Sequence, residues 1–286
     1  MILRALALSF GMLGLAAVSA PAQQTPQAGQ PQVSQCQAIA GRVPSATYAS
    51  FEPSVLSSRL MRTALNVSRD EEVKITYVGH STYFIETPGG IGIATDYSGA
   101  YQPSRLPDVV TMNRAHSTHY TLSPDPAIAH VLHGWSDVPG EKAEYRLTVG
   151  DVYIRNVVSD TRGWGGQLEE NANSIFIFEV AGLCIGHLGH LHFELTEDQY
   201  VDIGRLDVVM VPVDGGLTMG ADSMSRVVRR LRSSLILPMH RWGPPLDNFL
   251  AMFDGKFDVA YARNPVITVS VRSLPKKPTI MVPQGL

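Results

Sequence analysis

Three short apolar runs in this chain are each followed within four residues by histidine. The runs are Val109–Met112, 183–185 and Leu235–Met239, and the histidines that follow them are His116, His119, His187, His190 and His240. Runs of this length and composition are typical of buried strands. Because ligands and catalytic groups in α/β proteins lie in loops at strand ends, the pattern indicates an α/β fold in which several strand ends meet. Imidazole is the commonest metal ligand in proteins, so these histidines predict a metal site.

The rest of the chain supports a layered α/β body in one domain. Glycine-containing turns at 150–151 and 181–182 predict two β-hairpins. Thr196 precedes a helical pattern and is predicted to be its N-cap. The other predicted strands are 73–78, 82–86, 91–95, 145–149, 152–157, 174–180, 208–213, 266–271 and 279–282. The predicted helices are 51–66, 196–203, 221–232 and 246–253.

Composition excludes several classes of protein. Lysine and arginine together number 23 and the acids 26, a net charge of -3, which argues against a nucleic-acid-binding protein driven by counterion release. Two cysteines exclude a cysteine-type zinc module and a disulfide-rich scaffold. No nucleic-acid partner is therefore expected. The expected partner is a small-molecule substrate, and the sequence gives no indication of the oligomeric state.

The N-terminal segment predicts export. Residues 1–22 contain Arg4, an apolar stretch that is short for a bilayer span, and small residues at 20–22, which together are typical of a secretory signal peptide. The alternative is an uncleaved anchor. Residues 23–50 are predicted to be a flexible leader and residues 51–286 the folded domain. No second stretch reaches spanning length, so we expect a periplasmic or secreted product without a membrane span.

The two cysteines leave an alternative open. In an exported protein, Cys36 and Cys184 could form a disulfide. The preferred interpretation is two free thiols, with Cys184 buried in its strand as a small hydrophobic residue.

The sequence resembles the metallo-β-lactamase fold superfamily, and within it the branch of ascorbate-phosphate lactonases and N-acyl-phosphatidylethanolamine phospholipase D. The motifs that carry the resemblance are ITYVGHSTYFIE from residue 75, IATD from 93, DVVTM from 108, NSIFIFE from 173, IGHLG from 185, DVVMVPV from 207, LTMG from 217 and LPMH from 237. The resemblance implies a four-layer αββα sandwich, with the metal between the sheet edges. It also implies a metal-dependent hydrolase.

The ligand motif departs from that family at three positions. Where the family has His-x-His-x-Asp-His, this chain has Arg114 and Thr118 in place of the first histidine and the aspartate. His190 stands where the family has a bridging aspartate. The family's remaining histidine ligands match His187 and His240. Both ligand carboxylates are therefore lost.

Loss of the bridging carboxylate makes two adjacent dications costly, so we expect one ion. His119, His190 and His240 can supply three nitrogens for it, with a water in the fourth place, which is the arrangement of a catalytic zinc. His116 and His187 would complete the shell or accept hydrogen bonds from that water. Zinc is the preferred metal, and copper, iron or nickel would also suit imidazole ligands.

Two further residues are assigned roles by the resemblance. Asp96 matches a buried aspartate that supports a metal ligand. Arg114, with His116 a candidate catalytic residue, is expected to hold an anionic group of the substrate. His80 is expected to make local hydrogen bonds only, and Asp214 is a weaker candidate ligand. The preferred function is an exported hydrolase of an ester, lactone or phosphodiester, and the alternative is a non-catalytic descendant that binds a metal or ligand.

Overall fold

The structure is a computed structural model that describes residues 34–37, 71–138, 141–163, 165–243, 246–253 and 255–286. The predicted signal peptide, most of the predicted leader and the predicted helix at 51–66 lie outside these residues. In the part that is described, no helix is long and apolar enough to cross a membrane.

The described residues contain fourteen strands, three helices with assigned bounds and a helical stretch at 35–37. The strands are β1 Val73–Gly79, β2 Thr82–Glu86, β3 Gly92–Ala94, β4 Val109–Met112, β5 His130–His133, β6 Arg146–Val149, β7 Val152–Arg162, β8 Leu168–Val180, β9 Leu183–His187, β10 Val208–Pro212, β11 Leu235–Met239, β12 Asp258–Tyr261, β13 Val266–Val269 and β14 Thr279–Val282. The helices are α1 Glu197–Ile203, α2 Ala221–Leu231 and α3 Leu246–Ala251. Helix α1 begins at the predicted cap, where the Thr196 side chain accepts a hydrogen bond from the Gln199 main chain and the Gln199 side chain accepts one from the Thr196 main chain.

These strands build two mixed sheets. One has six strands in the order β13-β1-β2-β3-β4-β5, and the other has eight in the order β12-β14-β11-β10-β9-β8-β7-β6. Strands β3, β4 and β5 are parallel in the first sheet, and β9, β10 and β11 are parallel in the second. The predicted α/β sandwich is confirmed.

Buried side chains on the faces of the two sheets form three apolar clusters. Ile75 and Ile85 of the six-stranded sheet lie in one cluster with Phe176 and Met210 of the eight-stranded sheet. The opposite face of the eight-stranded sheet is covered by the helices, including the predicted apolar face of α2. The outer face of the six-stranded sheet is covered by loop side chains such as Trp135. The strand ends are therefore held on a rigid double layer.

The segment 34–37 is fixed to the eight-stranded sheet. Cys36 and Cys184 form a disulfide across 148 residues of sequence, so the preference for two free thiols is wrong. The Ser34 hydroxyl donates to Glu179 at 2.5 Å, and the Arg205 main chain donates to the Cys36 carbonyl at 3.1 Å. The predicted flexible leader therefore contains an anchored stretch, which its polar composition does not reveal.

Candidate metal centre

The site lies where the carboxyl ends of strands from both sheets meet. His80 follows β1, Asp96 follows β3, and His116 and His119 follow β4. His190, Asp214 and His240 follow β9, β10 and β11, which are parallel neighbours. Since parallel neighbours end at the same edge, each sheet gathers its polar residues there.

Four imidazoles converge at this edge. One ring nitrogen from each of His80, His116, His119 and His240 lies within 4.8 Å of the others. The Nε2 atoms of His80 and His119 are 3.3 Å apart. The Thr118 hydroxyl lies 3.0 Å from the Nε2 of His80 and 2.8 Å from the Nδ1 of His116. The predicted local role of His80 is therefore wrong, because its ring is a member of the cluster.

Asp96 holds His119 from behind. Its Oδ2 lies 2.7 Å from the Nδ1 of His119, and its Oδ1 accepts a hydrogen bond of 2.9 Å from the Asn113 amide. The Asn113 carbonyl accepts one from the Ser174 main chain in the other sheet at 2.7 Å. This contact places the proton of His119 on Nδ1 and leaves its Nε2 toward the cluster. Complete burial raises the pKa of Asp96 and holds the pKa of His119 well below its usual value.

Asp214 holds His240 in the same way from the eight-stranded sheet. Its Oδ2 lies 2.8 Å from the Nδ1 of His240 and accepts a 2.5 Å hydrogen bond from the Thr218 hydroxyl. Its Oδ1 accepts hydrogen bonds from the main chains of Gly216 at 2.9 Å and Thr218 at 2.8 Å. Burial alone would raise the pKa of Asp214, but hydrogen bonds from His240 and Thr218 outweigh it and lower that pKa. Asp214 thus supports a histidine, whereas the sequence had offered it as a ligand.

His190 adds a fifth imidazole beside the cluster. Its ring centroid lies 4.6 Å from that of His119, 4.8 Å from His240 and 5.1 Å from His116. The ring is buried, and neither of its nitrogens has a hydrogen-bond partner among the described residues. Burial holds the pKa of His190 well below its usual value, so the ring is neutral and offers a lone pair.

His187 does not join the cluster. Its Nε2 donates to the Ser81 carbonyl at 2.9 Å, and its Nδ1 accepts from the Gly189 main chain at 3.1 Å. With both nitrogens engaged, the side chain ties the end of β9 to the turn after β1. The structure therefore gives His187 a structural role instead of the predicted ligand role.

Left-handed backbone conformations occur at three positions of the site. The φ angles are 51° at His80, 47° at Asp96 and 53° at His240. For residues other than glycine this conformation costs of order 1–3 kcal/mol, and it persists where the surrounding structure enforces it. Here the His240 main chain donates to the His80 carbonyl at 2.7 Å, which joins the two sheets at the cluster.

The donor set fits a metal ion. The Nε2 of His240 and both nitrogens of His190 are buried without partners in the described part of the chain, a costly state for polar atoms. A cation held by imidazole lone pairs would satisfy such atoms. The carboxylates of Asp96 and Asp214 are bonded to Nδ1 atoms behind the rings, which is the usual arrangement around metal-bound histidine.

A cavity of about 930 Å³ opens over the cluster. His80, His116, His190 and His240 contribute to its wall. Arg114 does not line it. The Arg114 side chain is exposed, and its main chain donates to the Ala172 carbonyl at 3.1 Å. The predicted contact of Arg114 with a substrate anion is therefore not supported by its position.

A family model described as the beta-lactamase superfamily domain matches residues 74–240. This chain belongs to that family. A structure from Thermotoga maritima, named as a Zn-dependent hydrolase of the metallo-beta-lactamase superfamily, is 30% identical with a TM-score of 0.53, covering 73% of this chain and 97% of that one. The preferred prediction, an enzyme of this superfamily, is confirmed at the level of the family.

Proteins similar in sequence are also named metal-dependent hydrolases. A metal-dependent hydrolase of Pyrococcus furiosus is 24% identical over 195 residues, and one of Pyrococcus abyssi is 26% identical over 200 residues. Each comparison covers 60% of this chain and 87% of the relative. A structure from Parabacteroides distasonis, 14% identical with a TM-score of 0.53 over 64% of this chain and 89% of that one, has a similar fold.

Three residues of the site, His80, Asp214 and Arg162, have little in the neighbouring sequence that indicates their roles. His80 lies in a Gly-His-Ser turn that is typical of local hydrogen bonding. Asp214 follows β10 directly, and its position at a strand end was the one available signal. Arg162 lines the cavity from the end of β7, far from any motif, and nothing in the sequence marks it.

Proposed function

We propose that this protein is an exported hydrolase with a single transition-metal ion that cleaves an ester, a lactone or a phosphodiester. The observation that carries the proposal is the convergence of four imidazoles within 4.8 Å at the floor of a cavity. Relatives named as metal-dependent hydrolases support the reaction class. The resemblance to phosphate lactonases and phosphodiesterases supports the three kinds of bond.

The residues that would hold the ion are His80, His116, His119 and His240, with His190 beside them. One ion is favoured because the described cluster contains no carboxylate that could bridge two. Zinc is the preferred metal, and copper, iron or nickel also suit nitrogen ligands. A bound zinc ion supplies Lewis acidity, which makes water more acidic and polarises the bond to be cleaved.

The chain's own groups prepare that chemistry. Asp96 and Asp214 hold the protons of His119 and His240 at Nδ1, so that both Nε2 lone pairs stay directed at the cluster. Burial keeps His116 and His190 neutral by lowering their pKa values, so neither ring repels a cation. His190 has an unused lone pair in the cavity wall and is placed to accept a hydrogen bond from a nucleophilic water.

Export is supported by two independent features. Residues 1–22 have the composition of a secretory signal, and Cys36 is bonded to Cys184, as is usual in oxidising compartments. The mass of the protein recovered from the periplasm or medium should lack residues 1–22, and the unfolded product should have no titratable thiol. An intact N-terminus together with two reactive thiols would contradict export.

The test of the metal centre is elemental analysis of the purified, exported protein. We expect about one ion per chain, with loss of most of the metal in His119→Ala and His240→Ala. His80→Ala should also lose metal, whereas His187→Ala should keep it. His130→Ala is the matched control, because this histidine lies on β5 outside the cluster.

Activity is measured on the same preparations with panels of esters, lactones and phosphodiesters. We expect metal-dependent turnover on at least one panel and its loss in His240→Ala. Full metal occupancy without turnover on any panel would favour the non-catalytic, metal-binding alternative. Absence of metal in the parent protein would overturn the metal-dependent hydrolase and would leave, of the alternative, only a descendant that binds another ligand.

A further inference from the structure

The charged side chains that line the cavity above the histidines are all cationic. One of them, Arg241, donates to an oxygen of Leu286, which also lines the cavity, at 3.2 Å. Arg162 and Arg241 line it, and none of the described residues that line it is an aspartate or a glutamate. The carboxylates nearest to the cluster, Asp96 and Asp214, are buried behind their histidines. A cavity with cationic and neutral polar groups favours an anionic occupant over a neutral or cationic one.

Arg162 is held in place by the main chain around it. Its Nη2 donates to the carbonyls of Gly216 at 3.2 Å and Thr218 at 2.5 Å, and its main chain donates to the Nδ1 of His192 at 2.9 Å. The Nε2 of His192 in turn donates to the Leu217 carbonyl at 2.8 Å. These bonds use one of the three guanidinium nitrogens. Because the side chain is already ordered, an anion that binds the others loses little entropy to fix it.

Exposed apolar side chains line the same cavity as this guanidinium. Leu217 is 54% exposed and Trp242 is 69% exposed, and both line the cavity. Tyr101 also lines it, with its ring stacked over His80 at a centroid distance of 6.0 Å. Large apolar groups left exposed at the rim of a cavity are typical of a ligand site.

We propose that the substrate is an organic anion with a hydrocarbon or aromatic portion. Its anionic group binds Arg162, and its apolar portion lies against Leu217 and Trp242, so that the rest of the molecule reaches the histidines. This inference rests on the proposed function for the reaction that follows binding, but the binding itself needs neither metal nor turnover.

The test uses two fluorescent probes of the same shape that differ in charge. 8-Anilinonaphthalene-1-sulfonate is an aromatic anion, and N-phenyl-1-naphthylamine is the same ring system without the sulfonate. Both are titrated into the full exported protein, with and without its metal. We expect saturable binding of the anion at one site per chain, several-fold tighter than binding of the neutral probe.

Arg162→Gln should weaken anion binding by about ten-fold or more, since a hydrogen bond to a charged group is lost. It should leave binding of the neutral probe unchanged. Trp242→Ala should weaken both probes. The matched control is Arg232→Gln, an exposed arginine at the end of α2 that does not line the cavity and should change neither.

Two outcomes would overturn the inference. One is equal affinity for the two probes, or equal loss of both in Arg162→Gln, because a purely structural role would affect both alike. The other is that Arg114→Gln loses the preference for the anionic probe while Arg162→Gln keeps it. Failure of the proposed hydrolysis would show separately, as full metal occupancy and normal anion binding without turnover.

Discussion

The two carboxylate–imidazole pairs of the site have almost the same geometry and opposite electrostatics. Asp96 lies 2.7 Å from His119 on the six-stranded side, and Asp214 lies 2.8 Å from His240 on the eight-stranded side. Nevertheless the pKa of Asp96 is raised and the pKa of Asp214 is lowered.

The number of hydrogen-bond donors explains the difference. The Asp96 carboxylate receives bonds from His119 and Asn113. The Asp214 carboxylate receives bonds from His240, from the main chains of Gly216 and Thr218, and from the Thr218 hydroxyl. Donors favour the charged form, and burial disfavours it. A short contact to histidine therefore does not decide whether a buried acid is ionised.

The largest effect is expected from removal of either carboxylate. Asp214→Ala leaves four donors buried without an acceptor and should lower the free energy of unfolding by ~3–5 kcal/mol. Asp96→Ala leaves two donors and should lower it less. Urea denaturation of the metal-free proteins measures both. An equal or larger loss in Asp96→Ala would contradict the explanation from donor number.

Metal affinity should fall in both asparagine variants. Asp96→Asn and Asp214→Asn each replace a carboxylate that orients a histidine, and such changes lower affinity by about 10–100-fold. We expect the greater loss in Asp214→Asn, because that carboxylate accepts more hydrogen bonds and its pKa is lowered. Competition with a chelating indicator measures the affinity, and Asp198→Asn on the exposed first turn of α1 serves as control. Unchanged affinity in both variants would contradict the supporting role.

The two asparagine variants should change acid stability in opposite directions. The lowered pKa of Asp214 contributes stability that is present above pH 3.8 and lost on acidification, so Asp214→Asn is most destabilising near neutral pH and less so below 3.8. The raised pKa of Asp96 contributes stability that is present below pH 3.8 and lost as the pH rises. Asp96→Asn should therefore gain relative to the parent as the pH increases. Unfolding curves of the metal-free proteins across pH give the stability difference between each variant and the parent. If this difference changed with pH in the same direction for both variants, the opposite pKa shifts of Asp96 and Asp214 would be contradicted.

The smallest effect is expected from removing one donor. Thr218→Val deletes the hydroxyl bond to Asp214 and retains three donors, so the free energy of unfolding should fall by about 1.5 kcal/mol. The pKa of Asp214 should rise toward the behaviour of Asp96, which titration followed by NMR would detect. Metal affinity should fall by less than about ten-fold. If Thr218→Val lowered the free energy of unfolding as much as Asp214→Ala does, the hydroxyl alone, and not the number of donors, would determine the effect.

Much of the fold could be predicted from short-range pattern. Apolar runs identified most strands, and Thr196 identified the start of α1. Strands β5 and β12 were missed because polar residues such as His130 and Asp258 occupy edge positions. The β7–β8 hairpin extends beyond the predicted strands because its polar outer half is paired across the two strands.

The site was predicted as a set of histidines, but their individual roles were not. His187 and His80 both follow strands, and only their partners decide which nitrogen is available. The Ser81 carbonyl that accepts a hydrogen bond from His187 lies 106 residues away in the sequence. Likewise, Arg162 at the end of β7 lines the cavity and Arg114 in the loop after β4 does not, a difference that residue spacing does not encode.

The disulfide has a practical consequence for anyone who prepares this protein. Cys184 lies on β9, the strand that leads to His187 and His190, and its bond holds the segment 34–37 against the eight-stranded sheet. A recombinant host that folds the polypeptide in a reducing cytosol would leave that tether open. Expression should therefore be directed to an oxidising compartment, and a preparation made elsewhere should be assayed for thiols before its metal content is interpreted.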